Sequence, residues 1–226
     1  MIDFARRRLT MVETQIRPNE VTDPRLLAIL RALPRERFVP DRLQPLAYSD
    51  EAVEVFPAID GAPARFLLAP MVLARLVQLA AVEPHDTVLD VGCVTGYSTA
   101  VLAALGRAAI GLEPEPELAE AARYALRELG IVNAEIAEGP LADGYPHAAP
   151  YDVILLNGSV PHPPAALTSQ LREGGRLAVV LSSGGADSQG KAYLFVKVGG
   201  ELSGMPHFDA GAKPLPGFAP ELRFSL

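Results

Sequence analysis

Between residues 84 and 181 the chain alternates apolar, strand-like runs with segments of helical periodicity. Strands are predicted at DTVLDVG, AAIGLEP, NAEIAEG, YDVILLNG and RLAVVLSS, and helices at GYSTAVLAALG, PELAEAARYALRELG and PPAALTSQLREGG. The run YDVILLNG is apolar along its whole length, as expected of a strand that is covered on both faces of a sheet. This alternation predicts an α/β fold built on a mostly parallel sheet.

The regions on either side differ from this core, and we interpret 1–226 as a single domain. Residues 1–60 look helical and then irregular, with Asp23 and Pro24 suited to the N-cap and first position of a helix. In residues 190–226, KAYLFVKVGGELSGMPHF predicts two strands joined by a glycine turn, which adds an antiparallel edge. The Pro-rich stretch that follows is expected to wrap the sheet edge.

The composition excludes several classes of function. The formal net charge of −7 does not suit a protein that holds nucleic acid or an anionic membrane. No apolar run approaches the roughly 20 residues of a membrane-spanning helix, and no signal-peptide core follows the basic N-terminus. The single cysteine, Cys93, excludes an internal disulfide and a Cys-rich metal site. We expect a cytoplasmic enzyme or binding protein, with its oligomeric state left open.

A glycine-bearing turn follows the first predicted strand, in VLDVGCVTGYSTAVL. Gly92 and Gly96 allow a tight turn and the close approach of a ligand, and Asp90 places an acid at the strand end. Ligands of open parallel sheets bind beside this turn, outside the carboxyl ends of the strands. Val94 and Tyr97 stand where two glycines of the dinucleotide fingerprint would fall, which disfavours a nucleotide-dependent dehydrogenase.

A second acid ends the next strand. Glu113 lies about 20 residues beyond the turn, where a carboxylate can accept hydrogen bonds from both hydroxyls of a ribose. The alternative is an ordinary α/β turn followed by a solvated acid. The two signals together favour an adenosine-type ligand.

The turn resembles motif I of the class I S-adenosylmethionine-dependent methyltransferases, (D/E)-x-G-x-G-x-G, with Val94 in place of the middle glycine. Over nearly the whole chain the sequence is similar to one branch, the protein-L-isoaspartate O-methyltransferases. Three segments match that branch in its own order: VTDPRLLAILRALPRERFVP, LAYSDEAVEV and APYDVILLNGSVPHPPAALTSQLREGGRLAVVL. The resemblance implies a Rossmann-like fold with a mostly parallel seven-strand sheet, helices on both faces and an antiparallel C-terminal edge.

The same resemblance implies an O-methyltransferase that uses S-adenosyl-L-methionine and acts on a carboxylate of a protein or peptide. It assigns cofactor binding to three turns: Asp90, Gly92, Cys93, Thr95, Gly96 and Tyr97; Glu113 and Pro114; and Glu138, Gly139 and Pro140. In the third turn the family's Gly-Asp-Gly is replaced, so the carboxylate lies one place earlier and Pro140 stiffens the turn. Backbone groups could still hold the adenine there.

The segment RFLLAPMVLARL departs from the family at its acceptor site. Pro70 suits the start of a helix, although Leu67, Leu68 and Ala69 offer no polar N-cap. Aligning Pro70 with the family's I-S-x-P segment places the catalytic hydroxyl on Leu68, where it is absent. One reading is that the two leucines simply pack in the core. We hypothesise instead that the cofactor site is kept while isoaspartate methylation is weak or lost.

Further polar residues are weaker candidates. Asn157 ends the fourth predicted strand and joins Leu68 as a position that could contact the cofactor or acceptor. His162 could act as a base, although a loop histidine beside prolines is more often structural. The remaining histidines form no ligand-spaced set, so no metal site is expected: His85, His147 and His207.

Two alternatives to isoaspartate methylation remain open. The acceptor could be an unidentified small molecule or another diverged substrate. A protein of a different class, one that binds the cofactor or a partner without catalysis, is suggested by the changes at Leu68, Val94 and Pro140.

Overall fold

The computed structural model of the protein describes residues 2–59, 63–183 and 189–218. Its centre is a seven-stranded sheet with the order β5-β4-β3-β6-β7-β8-β9. The strands are β3 (Thr87–Val91), β4 (Ala108–Glu113), β5 (Ala134–Glu138), β6 (Tyr151–Val160), β7 (Leu171–Leu181), β8 (Gln189–Val198) and β9 (Glu201–Gly211). The first five are parallel, whereas β8 and β9 each run antiparallel to the strand before them. The predicted fold class is confirmed.

Six α-helices accompany the sheet in the described ranges: α1 (Phe4–Met11), α2 (Pro24–Ala32), α3 (Pro70–Ala80), α4 (Tyr97–Leu105), α5 (Pro116–Glu128) and α6 (Ala165–Ser169). A π-helical turn, Val12–Ile16, extends α1, and short 3-10 helices lie at Arg17–Asn19, Arg35–Phe38, Asp41–Leu46, Leu141–Asp143 and Pro146–Ala148. As predicted, Asp23 caps α2, because its carboxylate accepts hydrogen bonds from the N–H groups of Arg25 and Leu26.

The two faces of the sheet are covered differently. Neighbouring residues of β3 point to opposite faces, so Val88 joins one core cluster and Leu89 the other. On the first face the buried residues of α3, α4 and α5 pack together with the sheet. On the second face the cover includes α6, the 3-10 helix Leu141–Asp143 and Leu215, which follows β9. The carboxyl ends of the parallel strands therefore lie between a thick helical layer and a thin one.

The structure corrects the predicted helix PPAALTSQLREGG. Only Ala165–Ser169 is α-helical, and β7 begins at Leu171. Tyr151 pairs with Leu171 while Val153 pairs with Arg176, so the intervening residues bulge out of the ladder. Gly174, at a φ of 76°, lies in that bulge. Two consecutive glycines are poor helix formers, which explains why the helix ends early.

A small antiparallel pair was also missed in part. The sequence indicated that residues 1–60 are helical and then irregular, and the structure has β1 (Val53–Phe56) paired with β2 (Arg65–Leu67). Strand β2 runs directly into α3, so it holds the start of that helix in place. The pairing joins segments on either side of a loop, which local periodicity does not reveal.

The C-terminal hairpin is confirmed, with Gly199 and Gly200 between β8 and β9. The following residues cross the carboxyl end of β6 rather than the outer edge of the sheet. The N–H of Ser159 donates to the carbonyl of Lys213 at 2.9 Å, and the N–H of Leu215 donates to the carbonyl of Ser159 at 3.0 Å. The rest of the predicted Pro-rich tail, 219–226, lies outside the described residues.

Among the helices of the described ranges, none combines the length and apolar character needed to cross a membrane.

Candidate functional site

A buried acid, Asp90, forms hydrogen bonds with residues around the turn between β3 and α4. Asp90 accepts hydrogen bonds from Ser98 Oγ at 2.7 Å, Thr99 Oγ1 at 2.6 Å and Asn157 Nδ2. Burial nevertheless raises the pKa of Asp90 to about 6, because desolvation of the carboxylate outweighs these hydrogen bonds. Asn157, predicted to meet cofactor or acceptor, is therefore engaged in holding Asp90.

The turn has the backbone that a glycine-rich motif requires. Gly92, Val94 and Gly96 have φ values of 76°, 55° and 87°. A Cβ added to Gly96 would lie 3.1 Å from Ala122 Cβ, so the glycine permits the close approach of α5. Val94 adopts a left-handed conformation that is costly for a β-branched residue. The position of the family's middle glycine thus keeps a glycine-type backbone although the residue has changed.

Three other predicted residues of this turn are tied into the core. Cys93 is buried, and burial raises the pKa of its thiol well above the ordinary value, which disfavours a nucleophilic role. Thr95 Oγ1 donates to the carbonyl of Phe38 at 2.5 Å. The ring of Tyr97 packs edge-on against Phe38, and the Arg35 guanidinium lies 4.8 Å from its centroid. The Tyr97 hydroxyl and Arg35 Nη1 are buried without a hydrogen-bond partner in the described part of the chain.

The acid predicted to bind ribose, Glu113, pairs with an arginine in this structure. Glu113 is 0% exposed and forms a bidentate ion pair with Arg65, itself 3% exposed: Nη1 donates to Oε1, and Nη2 donates to Oε2 at 2.9 Å. The N–H of Glu115 also donates to Oε1, at 3.3 Å, and the N–H of Val94 to Oε2, at 2.9 Å. Burial raises the pKa of Glu113, and the Arg65 guanidinium opposes that rise. Each carboxylate oxygen therefore already accepts two hydrogen bonds, which uses its two lone pairs.

The third predicted turn lies close by, but its carboxylate points elsewhere. Glu138 is exposed and pairs with Arg123 Nη1 at 2.7 Å, on α5. The N–H of Gly139 donates to the carbonyl of Glu113 at 3.4 Å, which joins the second and third turns. Pro140 precedes the 3-10 helix Leu141–Asp143, and Pro114 is partly exposed between its turn and α5. The structure thus brings the backbones of the three turns together without bringing Glu138 to Glu113.

The acceptor segment lies against the same turns. α3 begins at Pro70 with Ala69 as its N-cap residue, as the sequence predicted. Leu68 is 5% exposed, and its carbonyl accepts a 2.7 Å hydrogen bond from Arg35 Nη2. Its side chain lines two small cavities, which share Phe66, Leu68, Val94 and Asn157. The two predicted catalytic positions, Leu68 and Asn157, are therefore neighbours in an apolar wall.

The space at these strand ends does not fit S-adenosylmethionine as the side chains are arranged. The two cavities have volumes of about 10 Å³ and about 20 Å³, room for about one water each, whereas ligand pockets span roughly 300–1,000 Å³. A Cβ added to Gly92 would lie 2.8 Å from Leu215 Cδ2 and 3.4 Å from Arg65 Nη2. Arg65 and Leu215 thus fill the space above the glycine turn.

Sequence reasoning did not find Arg35, Arg65 or Leu215. The available signal for Arg65 was that this charged residue begins the apolar run RFLLAP. Arg35 and Leu215 gave no such signal in the sequence. His162 is exposed, with Nδ1 3.5 Å from the carbonyl of Pro163, and contributes nothing to the strand ends. Within the described ranges, no group of three or more His, Cys, Asp or Glu side chains is arranged to hold a metal ion.

Comparison with known proteins gives a consistent result. The family model for protein-L-isoaspartate(D-aspartate) O-methyltransferase matches residues 6–203. A protein-L-isoaspartate O-methyltransferase of Koribacter versatilis is 37% identical over 180 residues, covering 80% of this chain and 78% of its own. A protein-L-isoaspartate O-methyltransferase 1 of Syntrophobacter fumaroxidans is 34% identical over 213 residues, covering 93% of each chain.

Solved structures agree. A protein-L-isoaspartate O-methyltransferase superposes with a TM-score of 0.78 at 25% identity, covering 93% of this chain, which spans 66% of that structure's length. A second, from Plasmodium falciparum and in complex with S-adenosyl-L-homocysteine, has a TM-score of 0.73 at 19% identity and covers 91% of this chain and 96% of its own. The latter likeness concerns the fold alone.

Proposed function

The chain belongs to the protein-L-isoaspartate(D-aspartate) O-methyltransferase family, and from this premise we propose that it methylates a protein or peptide carboxylate without orienting it through a hydroxyl at position 68. Family membership confirms three sequence predictions: the recognised family, an S-adenosylmethionine-dependent O-methyltransferase, and that cofactor. It does not favour the non-catalytic alternative. The identity of the acceptor is the part that we propose.

Leu68 is the observation that carries this proposal. It lies in the wall where the family's hydroxyl is expected, buried beside Phe66 and Val94. A carboxylate acceptor, with an ordinary pKa near 4, is ionised at neutral pH and needs no general base, so the loss of a hydroxyl does not remove the chemistry. It removes a donor that would orient the acceptor, and burying an unpaired carboxylate costs several kcal/mol. We therefore expect slow methylation of isoaspartyl peptides.

Methylation of an isoaspartyl peptide by the wild type, Leu68→Ser and Leu68→Ala tests the proposal. A positioned donor is worth about 10²–10³ in rate, so Leu68→Ser should exceed Leu68→Ala by a factor of that order. Leu68→Ala is the matched control, since it removes the same bulk without adding a hydroxyl. Equal kcat/KM values for the two variants, or a wild type as fast as Leu68→Ser, would contradict the proposal.

We also propose that 1–226 works as one domain in the cytoplasm. The free, buried thiol of Cys93 supports that compartment. A protease map that finds no stable fragment shorter than the chain, together with cell fractionation, checks both statements.

A further inference from the structure

Two separate obstructions lie where a cofactor would bind. The first is the bidentate pair of Arg65 and Glu113, in which the guanidinium occupies both oxygens of the acid at the end of β4. A ribose needs those same oxygens as acceptors. Any ligand that uses Glu113 must therefore break a buried, charge-assisted pair first.

The second obstruction is the segment 213–215, which crosses β6 beyond the hairpin. Added Cβ atoms show how tightly it lies: at Gly158 the Cβ would be 2.7 Å from both Leu215 Cγ and the carbonyl of Lys213. At Gly92 it would be 2.8 Å from Leu215 Cδ2. The Leu215 side chain thus covers Gly158 of β6 and Gly92, which directly follows the neighbouring strand β3. Two backbone hydrogen bonds to Ser159 hold the segment there.

We propose that Arg65 and residues 213–215 form a gate over the cofactor site, and that S-adenosylmethionine binds only when both are displaced. Arg65 competes with the ligand for Glu113, and Leu215 competes with it for the space above Gly92. The proposal concerns cofactor binding and is independent of the acceptor assigned above, because S-adenosylhomocysteine binding needs no acceptor.

The gate lowers the apparent affinity of the cofactor. When the binding-competent state is a fraction of the population, the apparent dissociation constant is the intrinsic one divided by that fraction. A change that weakens the closed state without touching ligand contacts raises this fraction. Substitutions in the gate should therefore tighten binding, whereas ordinary damage to the fold leaves binding unchanged or weakens it.

The competition of Arg65 for Glu113 is tested by calorimetric titration. S-adenosylhomocysteine is titrated into the wild type, Arg65→Gln and Arg176→Gln. Arg176 pairs with buried Asp86 before β3, at the opposite end of the sheet, so its substitution is a control for losing an arginine–carboxylate pair away from the turn. We expect Arg65→Gln to bind about tenfold more tightly than the wild type or better, and Arg176→Gln to bind as the wild type does. Equal affinities for the two variants overturn the Arg65 half of the gate.

The competition of Leu215 for the space above Gly92 is tested with Leu215→Ala, and Leu171→Ala is the control. Both leucines belong to the core cluster on the same face of the sheet, but Leu171 pairs with Tyr151 at the start of β6, away from the turn. Leu215→Ala should also bind S-adenosylhomocysteine more tightly than the wild type, and Leu171→Ala should not. If circular dichroism shows that Arg65→Gln does not fold, the comparison of Leu215→Ala with Leu171→Ala decides the proposal.

Amide hydrogen exchange of the wild-type protein provides a third readout. Bound ligands ordinarily slow exchange, but gate opening breaks the bonds of the Leu215 and Ser159 N–H groups. Saturating S-adenosylhomocysteine should accelerate exchange at these two amides while exchange slows elsewhere around the turn. Tight wild-type binding with both amides still protected would overturn the gate.

Discussion

Two buried ion pairs stand at opposite ends of the same sheet. At the amino ends of the strands, Asp86 pairs with Arg176 and accepts a 2.8 Å hydrogen bond from the N–H of Glu83. At the carboxyl ends, Glu113 pairs with Arg65 and accepts from the N–H of Val94. Both acids are buried, but the Arg176 side chain is 22% exposed and the Arg65 side chain 3%.

The difference between these pairs lies in what surrounds them. Arg176 also donates to the carbonyl of Ala81 at 2.8 Å, so its pair fastens the end of α3 to the sheet. Arg65 neutralises an acid beside the glycine turn, at the end where α/β sheets bind their ligands. The same chemistry therefore serves the fold at one end and controls access at the other.

The largest expected effect comes from breaking each pair by truncation. Arg65→Ala leaves the carboxylate of Glu113 buried and unpaired, which we expect to cost about 3–5 kcal/mol of unfolding free energy. Arg176→Ala should cost less, about 1–3 kcal/mol, because the Arg176 side chain is 22% exposed and water reaches that pair. Urea unfolding at pH 7 measures both values. Equal losses would show that the two pairs do not differ as their burial suggests.

A second contrast at the carboxyl ends concerns Asp90, which is buried without a cation. Its pKa rises from the ordinary 3.8 to about 6, so between about pH 4 and pH 6 the folded protein keeps a proton that the unfolded chain releases. Stability from this group is thus lost as pH rises through that window, by about 3 kcal/mol at about 1.4 kcal/mol per pKa unit.

Asp90→Asn should remove this pH dependence. The amide oxygen can accept from Asn157 while the amide N–H groups meet the hydroxyls of Ser98 and Thr99, which can accept as well as donate. The stability of the wild type relative to Asp90→Asn is expected to fall from pH 4 to pH 7, as measured by urea unfolding at each pH. A difference that stays constant with pH would mean that Asp90 is ionised throughout.

The sequence predicted those parts of the molecule that depend on neighbours along the chain. Alternating periodicity located β3 to β6 and the hairpin, and strand-end position identified Glu113 as a functional candidate. It could not predict that Arg65, 48 residues away, would occupy that acid. Nor could it place Leu215 over Gly92, since a contact between distant segments leaves no mark in local hydropathy.

The acceptor wall illustrates the same limit. The absent hydroxyl at Leu68 was visible by resemblance, and the helix start at Pro70 by local rules. The burial of Leu68, 5% exposed, was not visible in the local sequence pattern. The hydrogen bond from Arg35 to its carbonyl depends on the N-terminal segment folding back, which again is a long-range event.

The smallest predicted effect separates the backbone strain of an alanine at position 92 from its steric clash with Leu215. Gly92 and Gly130 have φ values of 76° and 66°, but an added Cβ meets Leu215 Cδ2 at 2.8 Å at Gly92 and nothing within 4 Å at Gly130. Gly130→Ala should therefore cost about 1–2 kcal/mol from the left-handed backbone alone, and Gly92→Ala about 1 kcal/mol more from the clash.

Leu215→Ala removes the atom that the new methyl would strike, so in that background the cost of Gly92→Ala should fall to that of Gly130→Ala. Urea unfolding of the four combinations at positions 92 and 215 gives the coupling energy directly. A coupling near zero would place Leu215 away from the turn in solution. The ion pair of Glu113 and Arg65 would then not be part of a gate over the cofactor site. It would differ from the pair of Asp86 and Arg176 only in how deeply it is buried.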